Sequence, residues 1–314
     1  MTVIDLHTSE IIPPPQKCVL CLGNFDGVHV GHRELVYEAL RQKDALLSEY
    51  PDAKCGAWFF RRTPLDIISG QQTPLITDLS LKLDIFADLG LDCAFIYEYE
   101  DIGTLSPEEF VREILKKECG CIFAICGYNF KFGRNASGDA NLLFSLMDGR
   151  VSIIKQVMLD QKNISSSKIR KLIAEGKIAE VNSLLGRNYS IHGNVLHGKR
   201  LGRKLGIPTI NQKIPPELAV LKRGIYVSRT LVDGSWLPSV SNIGIRPSVE
   251  NTDEINCETY IIGFEGDLYG KDIRVEFLHR LRDEKKFESI DMLKTQVNAD
   301  IEEAKTYFLK KREV

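Results

Sequence analysis

The amino-acid sequence predicts an α/β fold followed by a small all-β fold, and three features carry that expectation. Short apolar runs alternate with helix-like stretches through the first half, the pattern after residue 186 shifts to short alternating segments divided by turn signals, and the chain closes on one long amphipathic stripe. At 314 residues the chain exceeds the ~100–200 residues of a typical domain, so two domains are expected, 1–185 and 186–314.

CVLCL (18–22), CGAWFF (55–60), CAFIYEY (93–99) and CIFAICG (121–127) read as strands, and the stretches 32–49, 78–89 and 107–118 between them as helices. Strand, helix and strand repeated in this way imply right-handed crossovers and a parallel sheet with helices on both faces. Such sheets bind ligands at the carboxyl ends of their strands. In the second half YSIHGNVLHG, GIYVSRTLV, CETYIIGF and IRVEFLHRL, punctuated by VDGS and FEGD, predict a small antiparallel barrel. Ile290, Leu293, Val297, Ile301, Ala304 and Phe308 recur at helical spacing, so 286–312 is expected as a terminal helix that packs this stripe on the core.

Hydrophobic content of 43%, charged content of 27% and a net charge of −2 are ordinary, and they argue against a general binder of nucleic acid or of membranes; small-molecule partners are expected. Charge is unevenly spread, at −5 for residues 1–184 and +3 for 185–314. No run approaches the roughly 18 apolar residues of a membrane helix. The segment MTVIDLHTSEIIPPP lacks the basic-then-apolar order of a signal peptide, so a cytoplasmic protein is expected. Eight cysteines, at 18, 21, 55, 93, 119, 121, 126 and 257, fall mostly inside apolar runs and read as buried reduced thiols. Cys18-x-x-Cys21 has half the spacing of a zinc site, but no second pair follows it.

The chemistry concentrates in GNFDGVHVGH (23–32), which follows the first of these strands. A zinc reading of His29 and His32 wants a third ligand, and only Asp26 stands near. A phosphate reading fits better. Gly23, Gly27 and Gly31 let backbone N–H groups approach an anion, the helix expected from about Gly31 offers the positive end of its dipole, and the imidazoles become donors to phosphoryl oxygens. A second segment, ISSSKIR (164–170), sets Ser165, Ser166 and Ser167 beside Lys168 and Arg170 at a helix start. Serine there is often only a cap. With two cations in the next turn it also reads as a polyphosphate clamp.

Together these motifs resemble the histidine-motif nucleotidyltransferases, in which an HxGH turn and an (I/V)SSTxIR segment grip ATP. GYNFKFGRNASGD (127–139) looks like the flavin-adenylylating branch, while HGKRLGRKLGIPTIN (197–211), SNIGIRP (241–247) and the run from Cys257 to Phe287 resemble the riboflavin kinase module. From about residue 17 onward the chain resembles the bacterial bifunctional riboflavin kinase/FMN adenylyltransferase family. That resemblance implies a Rossmann-like N-terminal nucleotidyltransferase domain and a β-barrel riboflavin kinase domain, with riboflavin, FMN, FAD and ATP as ligands and Mg²⁺ as cofactor.

By the same resemblance ATP is held by Gly23, Asn24, Phe25, Asp26, Gly27, Gly31, Ser166, Ser167 and Arg170, with His29 and His32 stabilising charge as pyrophosphate leaves. Asn129 and Arg282 meet the flavin. In the kinase module Glu258 is the base, Thr209 and Asn211 bring oxygens to Mg²⁺, and Gly198, Gly202 and Gly206 lie over the nucleotide. GNVLHGK (193–199) matches most of a Walker A loop, but Arg200 replaces its Ser/Thr and no long helix pattern follows. The chain departs from the family at FFRRTP, where many members carry Phe-x-Pro-His-Pro. Arg61 and Arg62 stand there as possible partners of FMN phosphate, and the departure opens two alternatives: a kinase with weakened adenylylation, or a flavin sensor without turnover.

Overall fold

A computed structural model describes residues 1–5, 17–159, 162–197, 202, 206–247 and 253–312. Packing divides the chain into two compact units, Met1–Ser166 and Ser167–Val314.

The first unit is built on a six-stranded sheet in which every pairing is parallel. Its strands are β1 (Thr2–Asp5), β2 (Cys18–Leu22), β3 (Lys54–Phe60), β4 (Cys93–Tyr97), β5 (Cys121–Gly127) and β6 (Val151–Ile154), in the spatial order β1-β4-β3-β2-β5-β6. All five residues of β2 are buried, as a strand covered on both faces requires. Cys18, Leu20 and Leu22 point into one apolar layer with Phe110, Leu115 and Leu143, while Val19 and Cys21 point into the other with Val36, Ile85 and Phe86. The chain steps from β2 to β3 on one side and the sheet continues from β2 to β5 on the other, so the order reverses beside β2. A crevice opens at such a switch point, outside the carboxyl ends of the strands.

Helices Val30–Leu46 and Leu79–Asp88 and the expected stretch 107–118 are present. The last opens as α-helix with a Ser106/Glu109 capping box and continues from Phe110 to Glu118 as π-helix. Two strands of this sheet escape the sequence reading, β1 at the sheet edge and β6 beside β5.

In the second unit six antiparallel strands form a barrel: β7 (Tyr189–Asn194), β8 (Thr209–Lys213), β9 (Gly224–Val232), β10 (Ser235–Pro247), β11 (Asp253–Ile261) and β12 (Asp272–Arg282), in the order β7-β12-β9-β10-β11-β8. A single bridge between Leu196 and Asn211 closes the ring from β7 to β8. Packing also places helices Ser166–Glu175 and Ile178–Leu185 with the barrel, where Asn182 donates to the Phe277 carbonyl at 2.8 Å. The helix Ile178–Leu185 stops on Gly186 in the left-handed region.

The terminal helix runs Ile290–Arg312, four residues shorter at its start than expected, because Ser289 caps it through the Met292 N–H. Ile301 and Ala304 are buried, and Val297 and Phe308 pack against Val227, Val240 and Leu278. Ile290, however, is exposed, so the first turn of the expected stripe lies outside the core. Among the described residues no helix is long and apolar enough to cross a membrane.

Candidate active sites

The turn after β2 is tightly built. Phe25 is fully buried with φ 53°, Gly27 has φ 80° and Val28 has φ 38°. Left-handed backbone at a buried aromatic and at a β-branched residue costs of order 1–3 kcal/mol each and persists where surrounding structure enforces it. Here the enforcement is visible. Asp26 accepts the Ile76 N–H at 2.8 Å, Gly27 N–H donates to Thr77 Oγ1 at 3.2 Å, and Phe25 packs edge-on against Phe86 and His32. A Cβ on Gly27 would lie 3.1 Å from the Ile76 side chain. With its ring enclosed, Phe25 has only its backbone to offer a ligand.

The helix that follows starts at Val30, one residue before the expected Gly31, and His29 is its N-cap. His29 Nδ1 accepts the His32 N–H at 3.2 Å, the cap bond at the start of the helix. The two imidazoles stack with centroids 3.6 Å apart and 15° between planes. Gly31 permits this, since a Cβ there would stand 3.3 Å from the His29 ring. Burial, followed by the charges of His29 and Lys82, holds the His32 pKa well below its ordinary value. Neutral His32 therefore acts as a hydrogen-bonding group, and its Nδ1 is buried with no partner among the described residues.

Ser166, the last residue of the first unit, meets this turn: its Oγ donates to the Asp26 carbonyl at 3.0 Å, across 140 positions of sequence. Ser167 is exposed at the start of its helix, and Arg170 donates to Ser167 Oγ at 3.3 Å. Asn129 is exposed just past β5, the strand beside β2, which puts it at the same sheet edge as the histidine turn.

Arg61 does something other than expected. Its Nε donates to Glu98 at 2.7 Å and a second nitrogen pairs with Asp5, so it ties the end of β3 to β1 and to the residue following β4. Burial lowers its pKa, but these two carboxylates outweigh that and raise it. Its charge is engaged within the sheet. Arg62 is exposed, with no ion pair among the described residues. All eight cysteines are buried and free. Cys18 and Cys21 face opposite layers of the sheet, so they share no ligand, and burial drives the thiols of Cys55, Cys121 and Cys126 up to about 12.

Lys82 escapes the sequence reading altogether. It sits beneath the turn with Nζ 3.0 Å from the Asn24 carbonyl, and burial lowers its pKa to about 8 against the raising effect of Asp26 and Asp78. The available signal is its place on the apolar stripe of SLKLDIF, beside Leu81, Ile85 and Phe86.

In the second unit Glu258 lies on β11 with Asn211 of β8 directly opposite on one side and Asn242 of β10 on the other. Residues paired in this way share a face of the sheet, with Cβ atoms roughly 4.5–5.5 Å apart. Glu258 is exposed and Asn211 buried. Asn242, which sequence reasoning did not single out, has an Oδ1 buried without a partner among the described residues. Thr209 lies two residues before Asn211, on the same face of β8. It also lines a cavity of about 340 Å³ with Val195, Pro208, Thr259, Phe264 and Tyr269.

Thr209 and Asn211 offer two neutral hard oxygens, and no cluster of three His, Cys, Asp or Glu able to hold a metal occurs among the described residues. That donor set fits Mg²⁺ arriving with phosphates and water, and does not fit an all-protein cage. Gly202 approaches closely: its carbonyl accepts the Ile207 N–H at 2.8 Å, and a Cβ would meet the Ile207 oxygen. Gly206 has φ 76°, and Gly198 and the Walker-like lysine lie outside the described residues. Arg282 forks onto Asp300 of the terminal helix at 2.8 and 2.6 Å and donates to the Asp283 carbonyl at 3.0 Å, so most of its donors are engaged.

Comparison with known proteins assigns a family to each half of the chain. The FAD synthetase family model matches residues 11–168, and the riboflavin kinase family model matches residues 185–308. The bifunctional riboflavin kinase/FMN adenylyltransferase of Pseudomonas fluorescens is 32% identical over 96% of each chain, and that of Escherichia coli K12 is 32% identical over 94% of each. The Bacillus subtilis protein of the same description is 29% identical over 98% of each chain. A crystal structure described as a macrolide-efflux protein from Streptococcus pneumoniae has the same fold, with TM-score 0.86, 26% identity and coverage of 97% of this chain and 99% of that one. With both family models in order and relatives aligned end to end, the chain belongs to the bifunctional riboflavin kinase/FMN adenylyltransferase family.

Proposed function

We propose that the protein makes FAD from riboflavin in two ATP-dependent steps, with residues 186–314 forming FMN and residues 1–185 adenylylating it. The carrying observation is the hydrogen bond from Ser166 Oγ to the carbonyl of Asp26, which brings that serine to the turn of the stacked imidazoles and supports an ATP site there.

In adenylylation a phosphate oxygen of FMN attacks the α-phosphorus of ATP. The new P–O bond forms as the bond to pyrophosphate breaks. The nucleophile is already an anion, so the protein needs no base there, and its contribution is positioning and charge stabilisation. Backbone N–H groups of 23–31 receive the phosphates, His29 and His32 donate to the oxygens that gain charge, Ser166, Ser167 and Arg170 hold the outer phosphates, and Asn129 meets the FMN phosphate.

In the kinase step the riboflavin 5′-hydroxyl attacks the γ-phosphorus, ADP leaves, and the hydroxyl proton passes to the Glu258 carboxylate. Asn211 and Asn242 flank that carboxylate and orient it. Mg²⁺, when bound, neutralises phosphate charge; Thr209 and Asn211 would supply its protein oxygens. Gly202 and Gly206 lie over the nucleotide, and Arg282 orders the edge of the flavin site through Asp300. A cytoplasmic setting supplies the ATP and keeps the eight thiols reduced.

The test is direct: protein incubated with riboflavin, ATP and Mg²⁺ yields FMN and then FAD by chromatography. FMN alone would leave only the kinase, and no product would leave a flavin sensor.

A further inference from the structure

Beneath the histidine turn, helix Leu79–Asp88 buries a lysine that the steps above do not use. Lys82 is 5% exposed. Its Nζ donates to the Asn24 carbonyl at 3.0 Å and lies 4.7 Å from the centroid of the Phe59 ring. Among the described residues no carboxylate comes within ion-pair distance of it, and Asp26 and Asp78 act on it only through space. A buried ammonium without an ion-pair partner at contact distance is costly, and an apolar side chain of similar volume in such a place is commonly neutral or stabilising. The carbonyl it grips is that of the residue before the left-handed Phe25, at the base of the phosphate-facing turn.

We propose that Lys82 is a positioning residue for adenylyl transfer, fixing the Asn24–Phe25 peptide and placing a positive charge under the histidine pair where the ATP polyphosphate binds. This rests on the assignment of adenylyl transfer to the first unit. The titratable groups facing Lys82 are His32, with His29 stacked on it, from the helix Val30–Leu46, Asp26 in the turn and Asp78 at the start of its own helix. Phe59 faces it from the sheet.

The experiment uses the full chain with Lys82→Met and Lys82→Arg, reading FAD formation from FMN, FMN formation from riboflavin, Tm, and pyrophosphate affinity by calorimetry. The Met variant is expected to lose on the order of 10- to 100-fold in FAD formation and to bind pyrophosphate more weakly. Its FMN formation stays intact and its Tm is unchanged or higher. Wild-type FAD formation falls as pH rises through about 8, where Lys82 loses its proton, and the Arg variant restores activity without that fall. A Met variant with wild-type FAD formation overturns the proposal, as does a loss accompanied by a lower Tm and an unchanged pH profile in the Arg variant. If the wild type makes no FAD, the adenylyl-transfer assignment fails instead. The pyrophosphate titration then still decides: equal affinities overturn the role of Lys82 and a weaker Met variant supports it.

Discussion

His29 and His32 work as a unit because their rings stack at 3.6 Å and one caps the helix that carries the other. With the His32 pKa depressed, its protonation begins only well below pH 6.5, so its state is constant from pH 6.5 to 8. His29→Ala removes the cap and the proposed phosphate donor together. It is expected to cut FMN-to-FAD conversion on the order of 100-fold while riboflavin-to-FMN turnover holds, as followed by product chromatography. These histidines were legible because three glycines, a preceding strand and a following helix surround them. Lys82 was not, since a lysine between apolar neighbours ordinarily extends to water, and only the packing of Phe59 and the turn reveals it as buried. Linkage gives it a second signature. Its folded pKa of about 8 lies below the ordinary 10.5, so the unfolded chain binds more protons between these values and stability rises with pH across that window.

At the scale of elements, the strands buried on both faces were read almost to the residue: 18–22 and 121–127 match β2 and β5. Continuous apolar runs leave little choice there. β1 was missed because a four-residue edge strand ending in Asp5 carries no pattern of its own; its fourth residue is held by Arg61. Arg61→Ala leaves Asp5 and Glu98 without that cation, with an expected loss of about 1–3 kcal/mol in denaturant melts and no change in FMN affinity. A weaker FMN affinity at unchanged stability would restore the phosphate-pairing role. Inside the barrel a chain of hydroxyls links Thr230, Ser239, Ser228, Ser241 and Thr259 at 2.7–3.1 Å. Alternation alone would have turned those residues outward; they stay inside because each finds a neighbouring hydroxyl. Ser241→Ala cuts Thr259 off from Ser228 and is expected to cost about 1–3 kcal/mol, read from thermal unfolding.

For the whole molecule, the proposed function assigns two phosphorus chemistries to two sites of different construction. One would present a strained turn, stacked imidazoles and a serine to an anionic nucleophile, and the other a strand carboxylate between two asparagines to a neutral hydroxyl. The family was legible in the sequence through motifs in its order, whereas neighbours of the candidate sites such as Asn242 emerged only from register across strands. The most direct measurement pairs Glu258→Gln with His29→Ala and assays each with riboflavin and with FMN. Glu258→Gln is expected to lose on the order of 10²- to 10⁴-fold in FMN formation yet convert supplied FMN to FAD. His29→Ala is expected to stop at FMN, and an equimolar mixture of the two is expected to carry riboflavin through to FAD. Loss of both activities in either folded variant, or a mixture that makes no FAD, would contradict a division of the two steps between separate sites.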